Sequence, residues 1–212
     1  MTRPPVGTAI EIAPGVRSIL APNSGPMTYW GTNSYILGET ELAIIDPGPD
    51  DAGHISALLE ATAQSSVTYI LVTHAHADHS AAAKVLSAQT GAPVVAFGPP
   101  EAGRRDVMQR LSQESSLGGG EGLDHGFAPD ICLREGDTLH GTGWELGVLH
   151  LPGHFAGQLG FQFGDILFSG DHVMDWASSI VSPPDGHLGD FLATSRKLIK
   201  LGSTPINFCS FA

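Results

Sequence analysis

The sequence predicts an α/β fold with a locally parallel sheet, and three observations carry that expectation. Short apolar runs alternate with helical segments and are punctuated by 27 Gly and 15 Pro. Residues 67–98 read strand, helix, strand, an order that makes a crossover between parallel strands of one sheet. Three separate apolar runs lead into histidine or aspartate, and open α/β sheets bind their ligands where strands end.

In chain order, "VRSILAP" (16–22), "NSYILG" (33–38) and "ELAIIDPG" (41–48) read as strands, the last closing on Asp46-Pro47-Gly48. Asp50 or Asp51 is placed to cap a helix running to about Gln64, with Ile55, Leu58, Leu59 and Thr62 on one face. "VTYILVTH" (67–74) is apolar along most of its length, as suits a strand covered on both faces. "DHSAAAKVLSAQTG" (78–91) is alanine-rich and stops at Gly91, so it reads as one helix, and "APVVAFG" returns as a strand. A helix is expected over 101–116, and the glycine-rich stretch 117–130 reads as a solvated loop. "ICLREGDTLH" (131–140) and "WELGVLHLPGH" (144–154) follow as strands, then a hairpin over 158–171 turning at Gly164-Asp165. A helix over 189–201 stops at Gly202, and "INFCSFA" is strand-like. No repeat or linker divides the chain, so one domain over 1–212 is expected.

Composition narrows the function classes. The formal net charge is −12, which opposes non-specific binding to nucleic acid and to anionic membranes. No apolar run approaches the length of a membrane helix. The N-terminus lacks a secretory pattern, so a cytoplasmic location is expected. Cys132 and Cys209 lie far apart and outside any CxxC, so both are expected to be buried, reduced thiols.

Residues 73–80, "THAHADHS", concentrate three histidines and an aspartate after an apolar strand. In extended backbone His74 and His76 face the same side and can reach one ion, while Asp78 and His79 open the following helix and point elsewhere. With 10 His in 212 residues, chance places HxHxDH rarely. His154 follows "LPG" and Asp171 follows "FSG", each after its own apolar strand.

These motifs, with the early "IIDPGP", resemble the metallo-β-lactamase superfamily over nearly the whole chain. "GTNSYILG" and "FSGDHVMDWASSIVSPPDG" are similar to the lactamase-β-2-like branch, some members of which cut single-stranded RNA. The resemblance implies an αββα sandwich of two mixed sheets with outer helices. It implies that His74, His76 and His154 form a first metal site, that Asp78 and His79 belong to a second, and that Asp171 bridges them. Asp46 matches an aspartate that steadies a ligand histidine, although Asp-Pro-Gly is also an ordinary turn. Zinc is the first expectation, as one or two ions, with iron or manganese as alternatives. Water at the open position would ionise near neutral pH, with Asp78 orienting the nucleophile, and attack an ester, thioester, amide or phosphodiester.

The family pattern has a further histidine, in a Gly-His segment after another strand. Here no histidine follows His187, which precedes the last helix and cannot substitute. The sequence therefore reads as lacking its C-terminal elements, with a weak second site and self-association through the exposed last strand. A small-molecule substrate is expected. The rivals are a non-catalytic remnant of such a hydrolase and a single-strand endoribonuclease; the acidic balance argues against the second. His172 is a candidate for the cleft or for a structural role. His54, His125, His140 and His150 are read as structural or solvated.

Overall fold

The computed structural model describes residues 2–114, 122–201 and 207–209. Among the described residues, twelve strands form two sheets. The first contains β1 (Ile10–Ala13), β2 (Val16–Leu20), β3 (Asn33–Leu37), β4 (Glu41–Ile45), β5 (Ser66–Leu71), β6 (Val94–Ala96) and β7 (Ile131–Cys132), in that spatial order. It is antiparallel from β1 to β4 and parallel from β4 to β7. The second contains β8 (Thr138–Gly141), β9 (Trp144–His150), β10 (Leu159–Phe163), β11 (Ile166–Phe168) and β12 (Asn207–Cys209). It is antiparallel except for the β11–β12 pair. β12 is its outer strand among the described residues.

The period-two pattern separates the faces. Tyr35, Leu37, Ala43 and Ile45 point toward the second sheet and pack with Leu146, Val148, Phe161 and Phe168. Ile36, Leu42 and Ile44 point the other way, onto α1 (Ala52–Thr62) and α3 (Ala83–Thr90) through Leu58 and Leu86. On the outer face of the second sheet, Leu151 and Leu167 receive Leu198 of α5 (Leu188–Leu201). The layers are helix, sheet, sheet, helix, and both sheets are mixed, as the sequence implied. No helix among the described residues is long and apolar enough to cross a membrane.

Asp51 caps α1: its side chain accepts from the His54 amide at 2.9 Å. Asp51→Ala should lower stability by about 1 kcal/mol, measurable as a shift in the urea midpoint.

Several expectations are corrected. The helix expected over 78–91 is two: α2 (Ala77–Ser80) and α3. The amide of Ala82 turns to the Gly48 carbonyl (3.0 Å), which interrupts the helical ladder. α4 (Asp106–Glu114) starts later than predicted, because residues 99–104 make turns and Arg104 is committed to Asp185. "ICLREGDTLH" is not one strand. A turn closed by Asp137 on the Arg134 amide (2.7 Å) splits it into β7 and β8, which belong to different sheets. β1 was not foreseen, and Cys132, expected to be buried, is exposed on edge strand β7. The side chain of Cys209, and residues 117–121 of the loop expected over 117–130, lie outside the described residues.

Candidate metal centre

Four strand ends deliver the site to one edge of the sandwich. Asp46 follows β4, His74 and His76 follow β5, His154 follows β9 and Asp171 follows β11, with Asp78 and His79 in α2. Two glycines permit the approach. Gly153 has φ +151°, and a Cβ there would lie 2.4 Å from the Phe191 Cα. Gly170 has φ +51°, and a Cβ there would lie 2.7 Å from Thr73 Oγ1. A side chain at either position would force the following residue, His154 or Asp171, away from the cluster.

His74, His76, His154 and Asp171 each offer one donor atom, all within 4.8 Å of one another. His74 Nε2 is 2.9 Å from His76 Nδ1, which is 3.1 Å from His154 Nε2. Two nitrogens bound to one zinc at ordinary lengths lie about 3.0–3.4 Å apart, so the spacing suits a shared ion. Asp171 reaches two ways: Oδ1 lies 3.2 Å from His79 Nε2 and Oδ2 lies 3.7 Å from His154 Nε2. Asp78 Oδ2 lies 3.5 Å from His79 Nε2. All six residues singled out in the sequence come together here.

The outer contacts fix which ring nitrogens face the cluster. His154 Nδ1 donates to the Ile180 carbonyl at 2.6 Å, leaving Nε2 as a lone pair. His79 Nδ1 donates to Asp46 Oδ2 at 2.9 Å, which leaves its Nε2 toward Asp78 and Asp171. The Thr73 hydroxyl donates to the same Asp46 oxygen (2.8 Å) and accepts from His74 Nδ1 (3.0 Å), so His74 Nε2 faces the cluster. The Thr73 amide donates to Asp46 Oδ1 at 2.7 Å. Asp46 thus holds two of the histidines, one directly and one through Thr73. It does so from φ +50°, a conformation aspartate tolerates better than most residues. Phe155 covers His74 and His76 with ring separations of 5.6 and 5.3 Å.

The electrostatics agree with a cation site. Burial pushes His74 well below the ordinary histidine range, and the neighbouring imidazoles add to it. Burial, then His154, lowers His76 to about 4. Both rings are therefore neutral at pH 7, the form that ligates. Burial also opposes charge on His79, but Asp171, Asp78 and Asp46 outweigh it and raise its pKa well above the usual value. The His79 imidazolium offsets these carboxylates, a charge that a divalent ion would supply instead. Burial would raise Asp171, yet His79 and the other histidines hold it well below the usual carboxylate range.

Other residues fall outside the cluster. His172 is buried against Phe191 (4.4 Å between rings) and contacts Ser195 Oγ at 3.2 Å, a tether to α5. His54 is buried and contacts Ser34 Oγ at 2.8 Å. His150 stacks on Phe97, His140 lies beside Glu145, His187 beside Asp190, and His125 is exposed. The sequence reading missed Thr32, whose hydroxyl donates to Asp78 Oδ2 at 3.0 Å, as well as Thr73 and the Ile180 carbonyl. A carbonyl leaves no mark in a sequence; Thr73 adjoins the motif and was the one within reach.

Two mixed sheets between helices, with a histidine–aspartate centre at one edge, define the class. Residues 27–212 match the metallo-beta-lactamase superfamily, and the chain belongs to that superfamily. It is 28% identical over 200 residues to the atrochrysone carboxyl ACP thioesterase AgnL7 of Paecilomyces divaricatus, covering 92% of this chain and 55% of that protein. It is 31% identical over 156 residues to the hydroxyacylglutathione hydrolase GloC of Haemophilus influenzae, covering 68% and 71%. TTHA1623, solved in a di-iron-bound form, superposes with a TM-score of 0.61 at 28% identity, covering 84% of each chain. The chain spans just over half the length of the first of these relatives.

Proposed function

We propose that this chain is a metal-dependent hydrolase of acyl thioesters or esters. One observation carries the reading: three imidazole nitrogens and a carboxylate converge within 4.8 Å, and outer acceptors fix the lone pairs of His74 and His154 toward the cluster. That donor set fits zinc, and also iron or manganese. His74, His76 and His154 would hold one ion; His79 and Asp78 would hold a second, with Asp171 reaching both. A bound divalent ion would supply ionised water at neutral pH and offset charge developing on the attacked group.

The chain's own residues do the rest. Asp46, Thr73 and the Ile180 carbonyl hold the imidazoles in the ligating tautomer. Thr32 fixes Oδ2 of Asp78, which leaves Oδ1 to orient a nucleophile. Phe155 keeps water off the apolar side of His74 and His76. The thioester preference rests on the relatives, one named as an acyl carrier protein thioesterase and one as a hydroxyacylglutathione hydrolase.

The test is metal content by elemental analysis, then turnover of S-lactoylglutathione, an acyl-coenzyme A, p-nitrophenyl acetate and an RNA oligomer, before and after chelation. Thioester or ester turnover that chelation removes and zinc restores is expected. Turnover of the RNA alone, or unchanged turnover in the chelated protein, would overturn the proposal.

A further inference from the structure

Two segments carry outer contacts to the centre. In the first, Asn23 grips Thr32 twice: its Oδ1 accepts from the Thr32 amide at 2.9 Å, and its Nδ2 donates to the Thr32 hydroxyl at 3.0 Å. With that oxygen already accepting, the Thr32 proton is directed to Asp78 Oδ2. The second segment runs from Val173 to His187. Its Ile180 carbonyl accepts from His154, and its far end is fixed by the His187 amide on the Gly153 carbonyl (2.9 Å) and by the buried Arg104–Asp185 pair.

Three rings join these segments. Tyr29 stacks on Trp30 at 4.7 Å and 23°, and on Trp176 at 5.1 Å and 14°. Tyr29 lies three residues before Thr32, and Trp176 five residues after Asp171 and four before Ile180. The stack therefore closes within roughly 20 Å of chain from either contact.

Tyr29 does this from an unfavourable backbone. Among the described residues, Tyr29 (φ +52°) and Asp46 (φ +50°) are the non-glycine residues with positive φ. Such conformations persist where surrounding contacts over-determine them, and they gather at functional sites. Asp46 explains itself by holding two histidines. Tyr29 is 44% exposed, so burial alone does not account for a large ring held there.

We propose that Tyr29 is a positioning residue: stacked on Trp176, it clamps the segment that orients Asp78 to the segment that orients His154, and so sets the affinity of the donor set for a divalent ion. The proposal rests on reading the cluster as a metal centre. Loss of an outer partner of a metal ligand costs about 10–100-fold in affinity. Tyr29 acts further out, through the three residues of chain that lead to Thr32, so the lower end, about tenfold, is the expected effect.

Tyr29→Gly tests this cleanly, because glycine accepts φ +52° without strain while deleting the ring. A stack that serves stability alone would lower the melting temperature and leave affinity untouched. The clamp predicts the opposite split. Zinc affinity, measured by competition with a chromogenic chelator on the 212-residue chain, should weaken about tenfold with no loss of melting temperature. Tyr29→Phe, which keeps the ring, should retain native affinity. Trp176→Ala should match Tyr29→Gly, and the double variant should lose no more than either alone, since both break one contact. Native zinc affinity in Tyr29→Gly, or additive losses in the double variant, would overturn the clamp alone. A wild-type chain that binds neither zinc nor manganese would overturn the metal centre and the clamp with it.

Discussion

Asp46→Asn should cost this protein about 2–4 kcal/mol of stability and weaken its hold on metal by roughly 10–100-fold. The substitution changes neither shape nor backbone preference, since asparagine also tolerates positive φ. It changes which atoms can accept. Oδ1 takes the Thr73 amide, and Oδ2 takes both the Thr73 hydroxyl and His79 Nδ1. An amide nitrogen in the Oδ2 position faces two donors; flipped, it faces the Thr73 amide. Either orientation leaves buried donors without acceptors, at about 1–3 kcal/mol each. His79, an imidazolium among these carboxylates, can relieve the first clash only by giving up its Nδ1 proton and keeping the one on Nε2. That atom faces Asp78 and Asp171, so the relief removes the lone pair a cation needs there. Urea denaturation reads the first effect and a chelator-competition titration the second. If the variant unfolds and binds zinc as the parent does, Asp46 is merely a turn residue and the account of His79 fails.

The sequence made the parts of this site that depend on side-chain type and local period easy to read. An apolar run followed by HxHxDH can be placed without coordinates, because strand period and ligand chemistry are both local. The glycines before His154 and Asp171 are visible in the sequence, but the reason for them, that a Cβ does not fit there, is tertiary. What escaped was set by tertiary contact. The break between α2 and α3 arises because Gly48, far away in sequence, takes the Ala82 amide, while alanine-rich propensity argued for one helix. The division of "ICLREGDTLH" between two sheets depends on Asp137 closing a turn on Arg134, which competes locally with an extended reading. Cys132 was expected inside because cysteine usually is; edge position on β7 overrides that tendency. The partner of His154 is a main-chain oxygen 26 residues away, and any residue type at 180 would supply it.

Zinc should enter this centre in two unequal steps, with affinities at least an order of magnitude apart. Three imidazole nitrogens and Asp171 converge in the first set. Among the described residues the second set offers His79, Asp78 and the same Asp171, whose two oxygens face the two sets separately. Zinc prefers four ligands, so the second ion would lean on solvent to complete its shell. Single substitutions should separate the steps. His154→Ala removes a direct donor and should weaken the tight event by more than the ~100-fold upper value for outer partners. His79→Ala should abolish the weak event while the tight one stays within a few-fold of native. Calorimetric titration of the parent and both variants distinguishes them. Two equally tight ions in the parent, or loss of the tight event in His79→Ala with retention in His154→Ala, would mean that the donors are partitioned differently from the geometry described.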